Sequence, residues 1–525
     1  MTSAPTEQAP ARAGILAEQI ASAFLWNATL IPLGALISFA ISVLIARELQ
    51  LSQFPAYAVL IAFKDSLLLF GDLGLGQGIS RYVPMARLQG GRAAVVRLVL
   101  QVLAARLVVY GGTAVAVLAG AGALAGHLRL EPGEAASCLL WIPLLALLES
   151  LSTTLCYLLW SLLEQKWVNL VNLLDAVLQP ALVLAAILQG LRLPGIVLAF
   201  VVAAGLRTAL MGLVAARSLA RLEPAAKPSE DGSEPSVQPS GPVTFWRVLR
   251  LGLFSFADKS MRYFLTPPFL VLLLNRSLPR EQVAIFALGI DLIFKVAATA
   301  SSGAQGWVVP LLASAHDRQD RARLQFAYAG TVQLLSALLL PAGFLFLAVA
   351  GAVIPLLYGE AFSGAARILW LLGPCLLLEF AISAPALAAC YAAERLRFFL
   401  GVGAAMAVLS LGSGLASAWL GLDLVCVLLG AIRLVGAWSI NVYVNVTQGL
   451  RFPMSFVLKL VAVSALVAWT LPASPARWLP VVLHTVAGGL VLLAAIKLVR
   501  PLTAGERLSM RDSDIRSARL IARFL

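Results

Sequence analysis

The sequence predicts an all-α protein that crosses a membrane many times. Hydrophobic residues make up 60% of the 525, charged residues only 12%, and the mean hydropathy is +0.90, against about a quarter charged in an ordinary soluble domain. Apolar runs reaching the roughly 20 residues that a spanning helix needs recur almost end to end. The basic residues gather in alternate connections, as the positive-inside rule requires of a polytopic chain.

Fourteen runs are expected to span, at 21–46, 55–80, 98–124, 136–162, 168–190, 194–219, 246–274, 281–311, 325–350, 366–391, 397–420, 423–447, 455–472 and 478–499. Met1–Gln19 lacks a compact apolar core before a small-residue cleavage site, so the first span is expected to be retained. That span holds no charge; its polar residues include Asn27, Ser38 and Ser42. The second carries Lys64, Asp65 and Asp72 and runs into Arg81; the third carries Arg106 and the fourth Glu149. Asn169, Asn172, Asp175 and Gln179 form a polar stripe on the fifth, and the sixth contains Arg207.

Between the sixth and seventh spans lies EPAAKPSEDGSEPSVQPSGPV, rich in Pro, Ser, Gly and acids, which is the composition of a flexible linker. Beyond it, the seventh span contains Asp258, Lys259, Arg262 and the adjacent Pro267 and Pro268. Asp291 and Lys295 lie in the eighth, and Glu379 in the tenth. The twelfth has a second stripe of Arg433, Asn441, Asn445 and Gln448, whereas the last two spans carry few polar residues and read as peripheral packing helices.

With a cytoplasmic N-terminus, the inner connections collect Arg81, Arg87, Arg92 and Arg97, then Lys166, Arg217, Arg221, Arg247 and Arg250, and later Arg321, Arg397 and Lys497. Far fewer basic residues fall outside, and both termini are expected in the cytoplasm. The net charge of +13 is thus a topology signal, and no nucleic-acid partner is inferred. Cys138, Cys156, Cys375, Cys390 and Cys426 all fall in apolar runs without metal-ligand spacing, so neither a metal nor a cofactor is expected.

Internal repetition divides the chain. Ser52–Pro84 and Arg280–Pro310 agree in order, length and topology: a polar turn, AYA or IFA, an acid and a lysine in mid-span, a small-residue segment with Gln, and YVP or VVP before a basic loop. The expected organisation is a tail at 1–20, an N-lobe of six helices at 21–219, a linker at 220–244, a C-lobe of six at 245–450, two further helices at 451–499 and a basic amphipathic tail at 500–525. Lobes that begin on one side of the membrane are parallel repeats, with the substrate site expected between them.

An ionisable group at the bilayer centre costs about 2.5–3.5 kcal/mol on insertion scales. Lys64, Arg106, Arg207, Lys259, Arg262, Lys295 and Arg433 stand against Asp65, Asp72, Glu149, Asp175, Asp258, Asp291 and Glu379, seven of each sign. Asp258 with Arg262 and Asp291 with Lys295 are acid-before-base pairs four apart, so each pair shares a helix face. For any one of these residues a structural ion pair is as good a reading as a ligand site; for the set, a hydrated cavity is the better one. Arg81, near the end of the second span, could equally snorkel to lipid phosphate. Pro267 and Pro268 remove two backbone donors, which makes them hinge candidates as well as a static kink.

ARELQLSQFPAYAVL at Ala46–Leu60, FGDLGLGQGISRYVP at Phe70–Pro84 and LLYGEAFSGAARIL at Leu356–Leu369 resemble hallmarks of the polysaccharide and lipid-linked-oligosaccharide flippases of the multidrug/oligosaccharidyl-lipid/polysaccharide (MOP) exporter superfamily. The resemblance implies two six-helix bundles in a V around a lumen, plus two C-terminal helices. It implies a transporter, not an enzyme, that moves a polyprenyl-diphosphate-linked oligosaccharide from inner to outer leaflet by alternating access in a bacterial inner membrane. Membrane lipids surround it, and the glycan polymerase and glycosyltransferases of the pathway are the implied partners.

In that setting Lys64, Asp72, Arg81, Arg106, Asp175, Arg207, Lys259, Arg262, Lys295 and Arg433 are cavity candidates for binding substrate. Asp65, Glu149, Asp258, Asp291 and Glu379 are pairing or ion-coupling acids. A cation-coupled drug antiporter of the same superfamily is the alternative, weakened by the uncharged first span. A membrane glycosyltransferase or ligase is a further alternative. Against it, His127, His316 and His484 are isolated near span ends, and against ATP as a direct energy source the chain has no G-x-x-x-x-G-K-[ST] loop.

Overall fold

A computed structural model describes residues 8–130, 132–162, 164–222, 243–317, 321–392, 397–471 and 477–499. The basic tail at 500–525 and most of the linker lie outside the described residues. Every regular element among the described residues is a helix: α1 Gln8–Asp72, α2 Leu75–Ala119, α3 Ala121–His127, α4 Pro132–Ser161, α5 Gln165–Leu188, α6 Arg192–Ala220, α7 Phe245–Tyr263, α8 Pro267–Asn275, α9 Arg280–Asp317, α10 Arg321–Tyr358, a 3₁₀ turn at Glu360–Phe362, α11 Gly364–Ala392, α12 Arg397–Leu415, α13 Ser417–Gln448, α14 Met454–Thr470 and α15 Trp478–Val499. Ten helical segments among the described residues are long and apolar enough to cross a membrane, and Met454–Thr470 is a shorter apolar helix. Trp246, Trp419, Trp469 and Trp478 lie exposed at helix ends, the placement that suits an interfacial aromatic belt.

Each of the fourteen expected spans falls on helix, but the breaks differ from a simple reading of hydropathy. A straight helix as long as α1 would run about 98 Å, far more than a bilayer. It turns at Gln50 (φ 51°, ψ −173°) into two arms. The run at 55–80, expected as one helix, is interrupted: α1 ends at Asp72, Leu73 and Gly74 both take left-handed backbone (φ 46° and 67°), and α2 begins at Leu75. Holding a leucine there costs about 1–2 kcal/mol, so packing must impose it. α2 then turns back at Gly90–Gly91, which joins the second span to the third. The run at 246–274 is also two helices, because Pro267 and Pro268 cannot donate to carbonyls one turn earlier and instead open α8 as its first residues.

The chain forms two compact units, 1–48 with 63–260, and 49–62 with 261–525. Within the first, α2 packs on α4, α4 on α6 and α6 on α5. Its core runs from Leu75, Ile79 and Val83 through Val95, Val99 and Val102 to Leu158, Val168, Met211 and Val248. Within the second, α11 is central, contacting α9, α10 and α13, while α14 and α15 pack on α10 and on each other. The segment 49–62 joins this unit through Phe54, which meets the ring of Phe362 edge-on at 5.2 Å.

Candidate functional site

The glycines of FGDLGLGQG are seats for close packing. A Cβ on Gly71 would collide with the Tyr110 ring, one on Gly76 with Tyr157, and one on Gly78 with Val248. At Gly74 it would sit 2.0 Å from the carbonyl oxygen of Gly252, so α7 crosses the broken helix with backbone against backbone. Small residues allow that approach, and in a membrane close packing of this kind holds helices together.

Asp72 is the last residue of α1, where unsatisfied carbonyls already favour positive charge. One carboxylate oxygen accepts from Arg106 Nη2 and the other from Lys259 Nζ at 2.9 Å. Arg106 is almost fully buried (1% exposed) and also donates to the backbone oxygen of Ser150 at 3.0 Å and to its hydroxyl. Lys259, 32% exposed, holds Asp72 from the far end of the α7 contact.

Two further clusters lie in this unit. Lys64 Nζ donates to both oxygens of Glu149, at 3.0 and 2.9 Å, and pairs with Asp65 at 3.0 Å. One lysine thus serves two acids, and at 12% exposure it has little room to serve anything else. Arg207 on α6 donates to Asn172 Oδ1 at 3.0 Å and pairs with Asp175 at 3.7 Å, which engages the α5 stripe.

In the second unit the α7–α8 break is capped. Carbonyls left by the two prolines find other donors: Tyr263 accepts from the backbone and hydroxyl of Thr266, and Phe264 from Ser410 at 2.9 Å. The neighbouring Leu265 carbonyl accepts from Arg433 Nη1. Arg433 also grips Glu379 in a fork, Nε to Oε2 at 2.5 Å and Nη2 to Oε1 at 3.0 Å, with its guanidinium carbon 5.1 Å from the Phe294 ring centre. Farther along α13, Asn441 donates to the carbonyls of Ile382 and Ala437 and accepts from Tyr328 at 2.5 Å.

The cations anticipated from sequence therefore divide by what they touch. Arg106 and Arg433 are buried, Lys64 is nearly so, and all three are multiply engaged. Arg262 lies 4.3 Å over the Phe399 ring, Lys295 pairs with Asp291 at 2.7 Å on its own helix, and Lys259 shares Asp72; all three remain partly exposed. Arg81 is exposed on α2, away from the break. The Asp258 side chain lies outside the described residues. Sequence reasoning missed Ser150, Ser410 and Gly252, small residues whose value comes only from what crosses them. Among the described residues no group of three or more His, Cys, Asp or Glu is placed to hold a metal.

This architecture matches solved membrane proteins along most of their length. The lipid II flippase MurJ, in an inward closed conformation, superposes with a TM-score of 0.63 at 11% identity, covering 89% of this chain and 98% of that one. An inward-facing multidrug resistance MATE family transporter of the MOP superfamily gives 0.57 at 15%, covering 80% and 94%. This chain has the MOP-superfamily fold. The MATE multidrug transporter DinF-BH shares the MOP fold at TM-score 0.57 and 17% identity over 82% of this chain and 96% of its own. A family model described as polysaccharide biosynthesis protein matches residues 239–367, from just before α7 to the start of α11. No curated protein matches the sequence.

Proposed function

We propose that this MOP-fold protein is a flippase that carries a polyprenyl-diphosphate-linked oligosaccharide, a repeat unit of a polysaccharide or O-antigen type, from inner to outer leaflet by alternating access. The observation that carries the reading is the polysaccharide-biosynthesis match over 239–367, because this stretch contains Lys259, Arg262 and Lys295, the deep cations that remain partly exposed. Ammonium and guanidinium groups hold phosphate oxygens by charge-assisted hydrogen bonds. The prenyl tail needs no protein site of its own, since the bilayer dissolves it. The protein performs no covalent step in this scheme and requires no cofactor; the glycan polymerase and glycosyltransferases are its pathway partners.

The proposal places the chain in a bacterial inner membrane with both termini in the cytoplasm. Reporter fusions at Gly232 and Arg395 should then read cytoplasm, and fusions at Glu131 and Glu360 the outside. Transport is tested in proteoliposomes carrying polyprenyl-diphosphate-linked N-acetylglucosamine, with lectin accessibility as the readout. The accessible fraction should rise faster than in protein-free vesicles, and equal rates would sink the proposal. The MATE matches support a second reading, cation-coupled drug antiport. Extrusion of a rhodamine dye driven by a proton or sodium gradient, without glycan flipping, would select it.

A further inference from the structure

Residues 248–259 of α7 lie along the broken helix, with the packing contacts running antiparallel to it. Val248 meets Gly78, Gly252 meets Gly74, Phe256 meets Phe70 with ring centres 6.2 Å apart, and Lys259, one turn farther along α7, reaches back to Asp72. Spacings of four, four and three put these α7 residues on one helical stripe. The first three contacts are apolar or backbone packing, and Lys259 adds a charge-assisted bond at the end of the stripe.

That bond is asymmetric. Asp72 offers one oxygen to Arg106 and the other to Lys259. Arg106 is locked by two bonds to Ser150, so it keeps Asp72 compensated whether or not Lys259 stays. The usual penalty for opening a buried pair, a stranded charge, therefore does not fall on the carboxylate. Lys259, a third exposed, needs only another anion. Lys64 offers no such exchange, because two acids share it; nor does Arg433, because it also caps a carbonyl.

We propose that Asp72 is a built-in competitor for Lys259: a phosphate group displaces the carboxylate, which stays parked on Arg106, and the end of the α7 stripe is released. Lys259 is the ligand-binding residue and Arg106 the positioning residue that makes the exchange possible. The inference rests on the flippase reading for its ligand, a prenyl diphosphate, but the exchange at Lys259 can be measured without transport.

Farnesyl diphosphate is the probe, with farnesol and inorganic pyrophosphate as controls, on the detergent-solubilised full chain. Binding is followed calorimetrically, and Lys259 reactivity by amine labelling and mass spectrometry. Asp72→Asn removes the competitor's charge while leaving an oxygen for Arg106. It should raise labelling of Lys259 and tighten farnesyl diphosphate binding about tenfold; a merely structural Asp72 would weaken binding or leave it unchanged. Lys259→Gln should abolish the gain. Arg106→Gln, which leaves Asp72 to Lys259 alone, should weaken binding; where that variant fails to fold, Ser150→Ala, which loosens Arg106, carries the same sign. If pyrophosphate protects Lys259 in Asp72→Asn but farnesyl diphosphate binds no better than farnesol, the anion exchange stands and the flippase reading falls. Unchanged Lys259 labelling in Asp72→Asn, or weaker prenyl diphosphate binding to it, overturns the proposal.

Discussion

Two helix breaks, one in each unit, solve the same problem by opposite means. At Leu73–Gly74 the chain unwinds because two residues adopt left-handed backbone beneath a crossing helix, and the charged group at the break, Asp72, belongs to the break itself. At Phe264–Thr266 it unwinds because two prolines follow, and the charge arrives from another helix, Arg433, to cap a carbonyl. A carbonyl that has lost its helical donor inside a membrane must find another, so Arg433 is committed. Asp72 already has Arg106 and can spare a partner. Burial alone does not separate a structural charge from an exchangeable one; the number of obligations each group carries does.

The largest effect should follow from breaking the capped side. Arg433→Ala strands Glu379 and uncaps Leu265 together, and removing one partner of a buried pair costs about 3–5 kcal/mol. Thermal unfolding in detergent should show a large loss, or the protein should fail to accumulate. Adding Glu379→Gln to Arg433→Gln should recover part of it, because no charge is then stranded; a double variant no better than Arg433→Gln alone would show that the carbonyl cap dominates.

On the glycine-built side the cost is steric. Gly74→Ala puts a methyl group 2.0 Å from the Gly252 carbonyl at a residue with φ 67°, and overpacking of this kind costs about 1–3 kcal/mol. Gly111→Ala on α2, where a Cβ meets open space, is the control and should lie within about 0.5 kcal/mol of wild type. Equal losses at the two sites would remove the packing account of the motif.

This contrast also shows what a single sequence carries. The Asp291–Lys295 pair was legible, because four residues on a helix is a distance that sequence encodes. The break at Pro267–Pro268 was legible as well, since proline announces the lost donor. The break after Asp72 was not: leucine has no preference for left-handed backbone, and only the crossing of α7 at Gly252 accounts for it. Nor were the partners of Asp72, Lys64 and Arg433, which lie on other helices, fixed by the fold rather than by local pattern.

Arg262 tests function with little cost in stability. Its contact with the Phe399 ring is a cation–π pair on a partly exposed side chain, worth about 0.5–1 kcal/mol. Arg262→Ala should insert normally, lose most lipid-linked glycan flipping and shift unfolding only slightly. Arg262→Lys should recover part of the transport, because an ammonium holds phosphate without the planar fork. Should Asp258→Asn with Arg262→Gln flip as well as wild type, the arginine has no part in binding.

The smallest effect belongs to Arg81, nine residues from Asp72 in the same motif but with a different environment. Asp72 ends one helix and is drawn into the packing, whereas Arg81 lies nearly two turns into the next, exposed on the stretch that runs toward the Gly90–Gly91 turn. An arginine there can extend along its aliphatic stem to lipid phosphate or water, and among the described residues no buried partner depends on it. Arg81→Gln should therefore change unfolding by no more than about 0.5 kcal/mol and leave flipping at the wild-type rate. Loss of transport in this variant without loss of fold would move the working charge from the break to the exposed stretch of α2 around Arg81. It would also mean that substrate capture, rather than exchange at Lys259, limits the cycle.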